Sequence, residues 1–394
     1  MNTEGPYEVA IVGGGLVGAA LARALRGAPV ALVAQRPENF REGAATFDSR
    51  AYAISPGNAA FLAQLGAWSA IPRERLTPVH AMRVFGDDGS SMIEFDAYSA
   101  GVGELAWIVE DGLLQDALWR GLDQQERLSI FSTASFEKLE IAERQASIIL
   151  SNGQKIAARL VVGADGARSL VRAQAAIPAE EHGYGQSAVV ANFRCSRPHR
   201  NLALQWFQGG LKEGAVLALL PLPGDQVSMV WSAGEAQAAR LLALDGAALG
   251  REVAAAAQHA LGELLPVTPQ RAFPLRRLAA QRLAAPRLAL AGDAAHVIHP
   301  LAGQGANLGL QDARALAAVL AAREPFRDPG DLRLLRRYER SRAEAVLAMR
   351  ATVHGLFRLF EAKGTALSRL RNAALNLADR IPVLKNVLMR HAMD

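Results

Sequence analysis

A glycine-rich turn near the start of the chain constrains the fold more than any other feature. Residues 8–12 are apolar and predict a β-strand, and the spacing Gly13-x-Gly15-x-x-Gly18 follows directly, before a predicted helix from Ala19. Such glycines allow a tight turn, close approach of the backbone to a pyrophosphate and close helix-to-strand packing. With a second predicted strand at 30–34, the segment predicts a βαβ unit that binds a dinucleotide.

Two further strand-to-helix turns place a carboxylate beside a glycine. A predicted strand over residues 155–162 leads into Asp165-Gly166, and a later apolar strand leads into Gly292-Asp293. A loop of Pro and Gly then reaches residues 303–307, where a helix start would present free backbone N–H groups and the positive end of its dipole. The three turns predict one cofactor site assembled from distant parts of the chain.

One expected element of the first turn is missing. An acid that binds a ribose hydroxyl belongs about 20 residues after the glycines, yet the second strand ends in Ala34 and Gln35. Gln35 could offer its amide to the ribose, and Glu38 lies slightly beyond the strand. The affinity for a dinucleotide therefore stays open at this stage.

The middle of the chain predicts a second sheet. Strand-like stretches separated by Gly and Pro turns follow a hairpin signal at Asn152-Gly153; they cover residues 188–194, 202–207, 215–220 and 226–231. Trp206, Phe207 and Trp231 fall on these strands, where they either line a ring-binding pocket or pack in the core. From residue 308 onward the chain is expected to be almost wholly helical.

The predicted fold class is α/β. It comprises a discontinuous Rossmann-like cofactor domain, an inserted substrate domain with a mixed or antiparallel sheet, and a helical C-terminal region. The predicted boundaries are 1–75, 105–180 and 273–325 for the cofactor domain, 76–104 and 181–272 for the substrate domain, and 326–394 for the helical region.

Charge is concentrated at the C-terminal end. Residues 349–394 carry eight Lys and Arg and three acidic residues, whereas the preceding part carries 35 of each, so the net charge of +5 lies in this region. Its apolar residues recur at helical spacing and predict a basic amphipathic element. That element either packs on the core or contacts anionic lipid or an acidic partner. Nucleic acid is not expected, because stacking aromatics are not interleaved with the basic residues.

Composition limits the compartment. The single cysteine, Cys195, allows no disulfide framework, which fits a reducing compartment. Neither a signal peptide nor a membrane-spanning helix is expected. The expected location is the cytoplasm, with peripheral contact to the inner face of the cytoplasmic membrane through the basic C-terminal region.

The order of the three turns resembles that of the FAD-dependent aromatic hydroxylases, the class A flavoprotein monooxygenases with the para-hydroxybenzoate hydroxylase fold. A more specific resemblance, to the flavin hydroxylases of ubiquinone biosynthesis, is found at residues 47–55, 107–110, 299–305 and 337–342. The resemblance implies FAD, an external electron donor for which NAD(P)H is a candidate, and molecular oxygen. It further implies hydroxylation of the ring of a polyprenylated ubiquinone precursor through a flavin 4a-hydroperoxide. Many members carry Glu where this chain has Ala34.

The candidate site residues follow from the turns and from the resemblance. The cofactor contacts are Gly13, Gly15, Gly18, Gln35, Arg50, Glu110, Asp165, Gly166, Gly292, Asp293, Gly303, Gly305, Ala306 and Asn307. By resemblance, Pro300 lies beside the flavin where the substrate ring docks. His296 and His299 either act as bases toward the phenol, with His299 the catalytic candidate, or are structural residues of the cofactor loop. A pair with no third ligand nearby predicts no metal site.

Two other functions remain open at this stage. The chain could hydroxylate a soluble phenol, which activity without lipid or a partner would favour. It could instead be a weak-FAD or flavin-free subunit that organises other enzymes of ubiquinone biosynthesis, because Ala34 replaces the expected acid. A colourless preparation that FAD cannot reconstitute would favour that scaffold role.

Overall fold

The computed structural model describes residues 6–37, 47–88, 91–208, 215–298, 305–344 and 347. Its strands are β1 (Tyr7–Val12), β2 (Val30–Val33), β3 (Ala51–Ile54), β4 (Thr77–Val79), β5 (Ala81–Phe85), β6 (Met92–Asp96), β7 (Ala106–Glu110), β8 (Leu128–Phe131), β9 (Phe136–Ile141), β10 (Ala146–Leu150), β11 (Lys155–Gly163), β12 (Ala179–Cys195), β13 (Leu202–Gln208), β14 (Ala215–Leu222), β15 (Gln226–Gly234), β16 (Leu264–Pro266), β17 (Arg271–Ala280), β18 (Ala284–Ala285), β19 (Leu288–Leu290) and β20 (His296–Val297). Its helices are α1 (Leu16–Ala24), α2 (Pro56–Gln64), α3 (Asp111–Leu122), α4 (Leu170–Gln174), α5 (Glu235–Ala243), α6 (Gly246–Ala256) and α7 (Gly305–Ala321), followed by α8 over residues 332–344.

The first sheet is the predicted Rossmann-like sheet. Its strand order is β18-β19-β11-β1-β2-β8, and β19, β11, β1, β2 and β8 run parallel. Strands buried on both faces read as continuous apolar runs, and Val9 to Val12 in β1 are at most 4% exposed. The sheet combines strands from the start, middle and later part of the chain, so the predicted discontinuous domain is confirmed.

Helix α1 begins at Leu16 rather than at the predicted Ala19. Gly15 is its N-cap residue with an extended backbone, and the Gly15 carbonyl accepts the N–H of Ala19 at 2.9 Å. The helix therefore starts inside the glycine motif, which brings its free N–H groups closer to the turn than the sequence suggested.

The hairpin predicted at Asn152-Gly153 is confirmed. It joins β10 to β11 in antiparallel register, and Gly153 has a φ of +80° that a side chain would disfavour. Before this hairpin, β9 pairs with β10 across a tight turn that is closed by a hydrogen bond from the Ala142 N–H to the Gln145 carbonyl.

The second sheet has the order β20-β17-β12-β15-β14-β13-β5-β6. All its neighbouring pairs are antiparallel except β13 with β5, so the expected mixed sheet is confirmed. One face packs against α5 and α6 through a core that includes Trp206 and Trp231. The opposite face turns toward the cofactor domain, where the small sheet β3-β7-β4 covers part of it through Val79 and Ile108.

Helix α8 is anchored to the first sheet. Tyr338 is fully buried, and its hydroxyl donates a hydrogen bond to the Leu290 carbonyl at 2.8 Å. The basic region 349–394 and its expected helices lie outside the described residues. In the part that the structure describes, none of the helices has the length and apolar character needed to cross a membrane.

Candidate active site

One cavity of about 650 Å³ lies between the two sheets. Its cofactor-domain side is formed by the starts of α1 and α7, by β3 and by the turn after β19. Its other side is the free face of the second sheet, which contributes mainly apolar side chains. The cavity therefore joins a polar, glycine-lined end to an apolar chamber.

The three glycine-rich turns predicted from the sequence meet at this cavity. A Cβ atom placed on Gly15, Gly166 or Gly305 would find no atom within 4 Å, so these backbones border open space. Gly13 and Gly18 instead allow close packing within the turn. A Cβ on Gly18 would lie 1.9 Å from the carbonyl oxygen of Gly13, and a Cβ on Gly13 would lie 2.2 Å from the carbonyl oxygen of Ala164. The open glycines leave room for a ligand, and the packed glycines hold the turn closed.

Two carboxylates lie beside these turns. Asp165 accepts the N–H of Val171 with one oxygen, while its buried Oδ1 has no hydrogen-bond partner among the described residues. Asp293 lines the cavity. The surrounding protein raises its pKa by desolvation, against the opposing effect of the positive charge of Arg50 and of its other basic neighbours. Both carboxylates are suited to accept hydroxyl groups of a bound ribose or ribityl chain.

A buried ionic junction fixes the turn that carries Asp293. Asp312 is fully buried and accepts the N–H of Gly292 at 2.9 Å, His296 Nε2 at 2.7 Å and Arg342 Nε at 2.7 Å. Burial would raise the pKa of Asp312, but the charges and hydrogen bonds of His296 and Arg342 lower it. His296 thus has a structural role in the cofactor loop, and α8 is tied to the same turn.

The start of α7 is held in place by an amide network. Asn307 is 1% exposed, accepts the Ser55 N–H at 2.9 Å and Asn58 Nδ2 at 3.0 Å, and donates to the Ala53 carbonyl at 2.8 Å. Gly305, Ala306 and Asn307 all line the cavity. The network therefore positions the helix N-terminus, with its positive dipole end, at the cofactor side.

Arg50 enters the cavity between two aromatic rings. Its guanidinium lies 5.3 Å from the ring centroid of Tyr52 and 5.7 Å from that of Phe273, and 3.7 Å from the Asp111 carboxylate. Burial would lower the pKa of Arg50, but Tyr52, Asp111 and Asp293 outweigh it and raise the pKa. Arg50 is therefore a permanent cation facing the cofactor side.

Glu110 and Gln35 lie apart from the cavity lining. Glu110 is 1% exposed, forms a salt bridge with Arg75 and accepts the Asp48 N–H at 2.7 Å. Asp48 in turn accepts the Arg50 N–H at 3.0 Å. Glu110 thus supports the turn that carries Arg50, and its direct contact with a cofactor stays a prediction. Gln35 is exposed directly after β2, beside the first glycine turn.

The three substrate-sheet aromatics named from the sequence are not among the residues that line the cavity, and Phe207 packs against Val84, Ile93 and Val216. Trp206 stacks on Phe85 with ring centroids 5.2 Å apart, and Trp231 is fully buried in the same core beneath α5 and α6. Strand alternation turns their neighbours Gln205 and Ser232 into the cavity instead. Pro300, His299 and Gly303 lie outside the described residues.

These features fit a dinucleotide flavin. Side chains at Gly15, Gly166 and Gly305 would occupy the space that the glycines leave open for a ligand. The buried Oδ1 of Asp165 lacks a hydrogen-bond partner among the described residues. Arg50 and the start of α7 both line the cavity. The FAD binding domain family matches residues 6–352. The Pseudomonas aeruginosa protein PqsL, solved in complex with 2-aminobenzoylacetate, shares the fold with a TM-score of 0.77 and 25% identity, over 94% of this chain and 99% of PqsL. Fold and site define an FAD-dependent monooxygenase.

Sequence relatives narrow the class. Ubiquinone hydroxylase UbiL of Rhodospirillum rubrum is 37% identical over 98% of this chain and 89% of that protein. The 3-demethoxyubiquinol 3-hydroxylase of Escherichia coli is 33% identical over 99% of each chain. The chain belongs to the FAD-dependent hydroxylase family of ubiquinone biosynthesis, which confirms the resemblance and FAD as the cofactor.

Proposed function

We propose that the protein hydroxylates the aromatic ring of a polyprenylated ubiquinone precursor. The observation that carries this proposal is the cavity that connects the glycine cradle to an apolar chamber on the second sheet. A polyprenyl tail needs an apolar path, and a ring must reach the cofactor without exposure to water. The names of the ubiquinone hydroxylase relatives support the same substrate class.

All of the predicted site residues except Glu110 receive a proposed role. Gly13, Gly15 and Gly18 would hold the pyrophosphate at the start of α1, and Asp165 and Asp293 would accept cofactor hydroxyl groups; Arg50, Gly166, Gly292, Gly305, Ala306 and Asn307 would complete the cradle. When bound, FAD supplies the redox chemistry that activates oxygen for transfer to the ring. We retain Gln35, Gly303, Pro300 and His299 as proposed contacts on the sequence grounds alone.

The chemistry fixes the co-substrates. One atom of O₂ enters the ring and the other leaves as water, so two electrons must come from an external donor, for which NAD(P)H is the candidate. The protein contributes an apolar chamber and the positive dipole end at the start of α7, which would stabilise negative charge that develops beside it.

Genetic complementation tests the substrate and the ring position. The gene is expressed in bacterial strains that each lack one ring-hydroxylation step, and the quinone intermediates are identified by mass spectrometry. We expect restored ubiquinone in at least one strain, with loss of the matching intermediate. Failure in every strain, with soluble protein present, would contradict the proposal and favour a soluble phenol.

The purified protein tests the scaffold alternative. A yellow preparation with flavin absorbance near 450 nm, typical of flavins generally, is expected. Colourless protein that FAD cannot reconstitute would contradict an enzymatic role.

We also propose that the basic C-terminal region contacts an anionic membrane surface or a biosynthetic assembly. Its support is the charge of residues 349–394 and the poor water solubility of a polyprenylated substrate. Deleting residues 349–394 should weaken co-sedimentation with vesicles containing anionic lipid, and raised salt should weaken binding of the full chain. Equal binding of full and truncated chains would refute membrane contact through this region.

A further inference from the structure

Two polar side chains interrupt the apolar wall that the second sheet contributes to the cavity. They are Gln205 on β13 and Ser232 on β15; the other lining residues of this sheet are Ala, Val, Leu, Met and Phe. Both are nearly buried, at 6% and 4% exposure. A long apolar chamber does not need polar groups in its wall, so these two require an explanation.

Gln205 is the more demanding of the two. Its neighbours across the sheet are Ala218 on β14 and Val84 on β5, and neither can accept or donate a side-chain hydrogen bond. No residue that the structure describes forms a hydrogen bond with its side-chain amide. Because Gln205 lines the cavity, its amide borders open space, and a ligand bound there can supply the hydrogen-bond partner.

We infer that Gln205 recognises an oxygen substituent of the substrate ring. The inference rests on the proposed function, because in a polyprenylated phenol every polar atom is on the ring and the tail offers none. A glutamine amide can accept a hydrogen bond from a phenol hydroxyl and can also donate to a phenolate or methoxy oxygen. The position of Gln205 thus marks where the ring lies, and the apolar remainder of the wall is left for the tail.

Ser232 is expected to contribute less. Its short hydroxyl can satisfy itself with nearby backbone carbonyls, which a buried glutamine amide on a strand cannot do as readily. It also lies two strands from Gln205, in the order β13-β14-β15, so it faces another part of the chamber.

A paired-ligand experiment isolates the predicted hydrogen bond. The probes are 2-geranylphenol and geranylbenzene, which share the tail and differ in the ring hydroxyl. Their dissociation constants are measured from the absorbance change of bound oxidised FAD, without turnover. The wild-type protein should bind the phenol about tenfold more tightly, the ratio expected for one net hydrogen bond. In Gln205→Met the ratio should fall to about one.

Control variants separate recognition from general damage. Gln154→Met makes the same substitution at an exposed turn position and should leave the ratio unchanged, and Ser232→Ala should lower it by no more than about twofold. Should Gln205→Met lose FAD, Gln205→Asn decides the same point, because it withdraws the amide by one methylene and should also bring the ratio close to one.

The outcomes distinguish the two proposals. If the wild-type protein binds neither probe, the proposed function fails. If it binds both but does not prefer the phenol, or if the folded Gln205 variant keeps the tenfold preference, the role of Gln205 is overturned while the proposed function stands.

Discussion

Removing the charge of Asp312 should destabilise the protein more than any surface substitution. In Asp312→Asn, one of the two oxygens that accept the Gly292, His296 and Arg342 donors becomes an NH₂ group, which faces a donor. Arg342, only 6% exposed, then lacks its counter-ion. Breaking a buried ion pair on one side costs about 3–5 kcal/mol, a large part of the roughly 5–15 kcal/mol that stabilises a typical domain.

The assay is equilibrium urea unfolding followed by circular dichroism, with Asp116→Asn as the matched control. Asp116 pairs with Arg120 one helical turn away at the surface, where such a pair contributes about 0.3–0.5 kcal/mol. Asp312→Asn/Arg342→Met should recover most of the loss, because it removes both charges together. The reasoning is refuted if Asp312→Asn resembles the control, or if the double variant is less stable than Asp312→Asn.

The pH dependence gives a second check on the same junction. The pKa of Asp312 lies below its ordinary value in the folded protein, since His296 and Arg342 together outweigh the effect of burial. Its contribution is therefore complete above the unfolded pKa of about 3.9 and is lost as the pH falls through the lower folded pKa. The stability gap between wild type and Asp312→Asn should shrink as the pH falls below about 4.

Three further substitutions test residues that the sequence assigned to the cofactor site, and Gly153→Ala serves as a control. Gly166→Ala and Gly153→Ala both force alanine to a φ of +80°, and each should lower the free energy of unfolding by about 1–2 kcal/mol. Only Gly166→Ala should weaken FAD binding in a fluorescence titration, because Gly153 lies on a distant hairpin. Asp293→Ala should abolish retention of flavin during purification, and a variant that stays fully yellow would refute the assignment of Asp293. Glu110→Gln should lower the unfolding temperature through the loss of its ion pair with Arg75; a loss of FAD affinity with an unchanged unfolding temperature would instead place Glu110 at the cofactor.

The parts of the site that could be predicted are local in sequence. The turns at Gly13, Asp165 and Asp293 each combine a strand end and a glycine within a few residues, so their chemistry could be recognised one at a time. Helix α3 is also marked locally, because apolar residues recur at helical spacing from Asp111 to Leu122. Local patterns of this kind do not depend on which distant segment packs beside them.

The parts that could not be predicted depend on distant pairing. Asp312 looks like one acid in an apolar helix, and its partner Arg342 follows 30 residues later on another helix. Alternation in β13 separates Gln205 from Trp206, yet the sequence does not say which face is covered by helices α5 and α6. Trp206 and Trp231 proved to lie on the face covered by the two helices, where their large rings fill the core, whereas Gln205 lies on the cavity face.

The missing acid at position 34 is best understood from its surroundings. A Cβ on Gly14 would lie 2.5 Å from the Cβ of Ala34 and 2.6 Å from Cζ2 of Trp119, so these three residues are packed together. Trp119 is 2% exposed, and its indole Nε1 donates to the Gly14 carbonyl at 2.8 Å. Helix α3 therefore fixes the glycine turn from behind, independently of any contact with the ribose. The absence of an acid removes one hydrogen bond to the cofactor, roughly 1.5–3 kcal/mol for a charged acceptor, but leaves the turn in the geometry that a pyrophosphate requires. Ala34 alone thus gives no reason to expect a flavin-free chain.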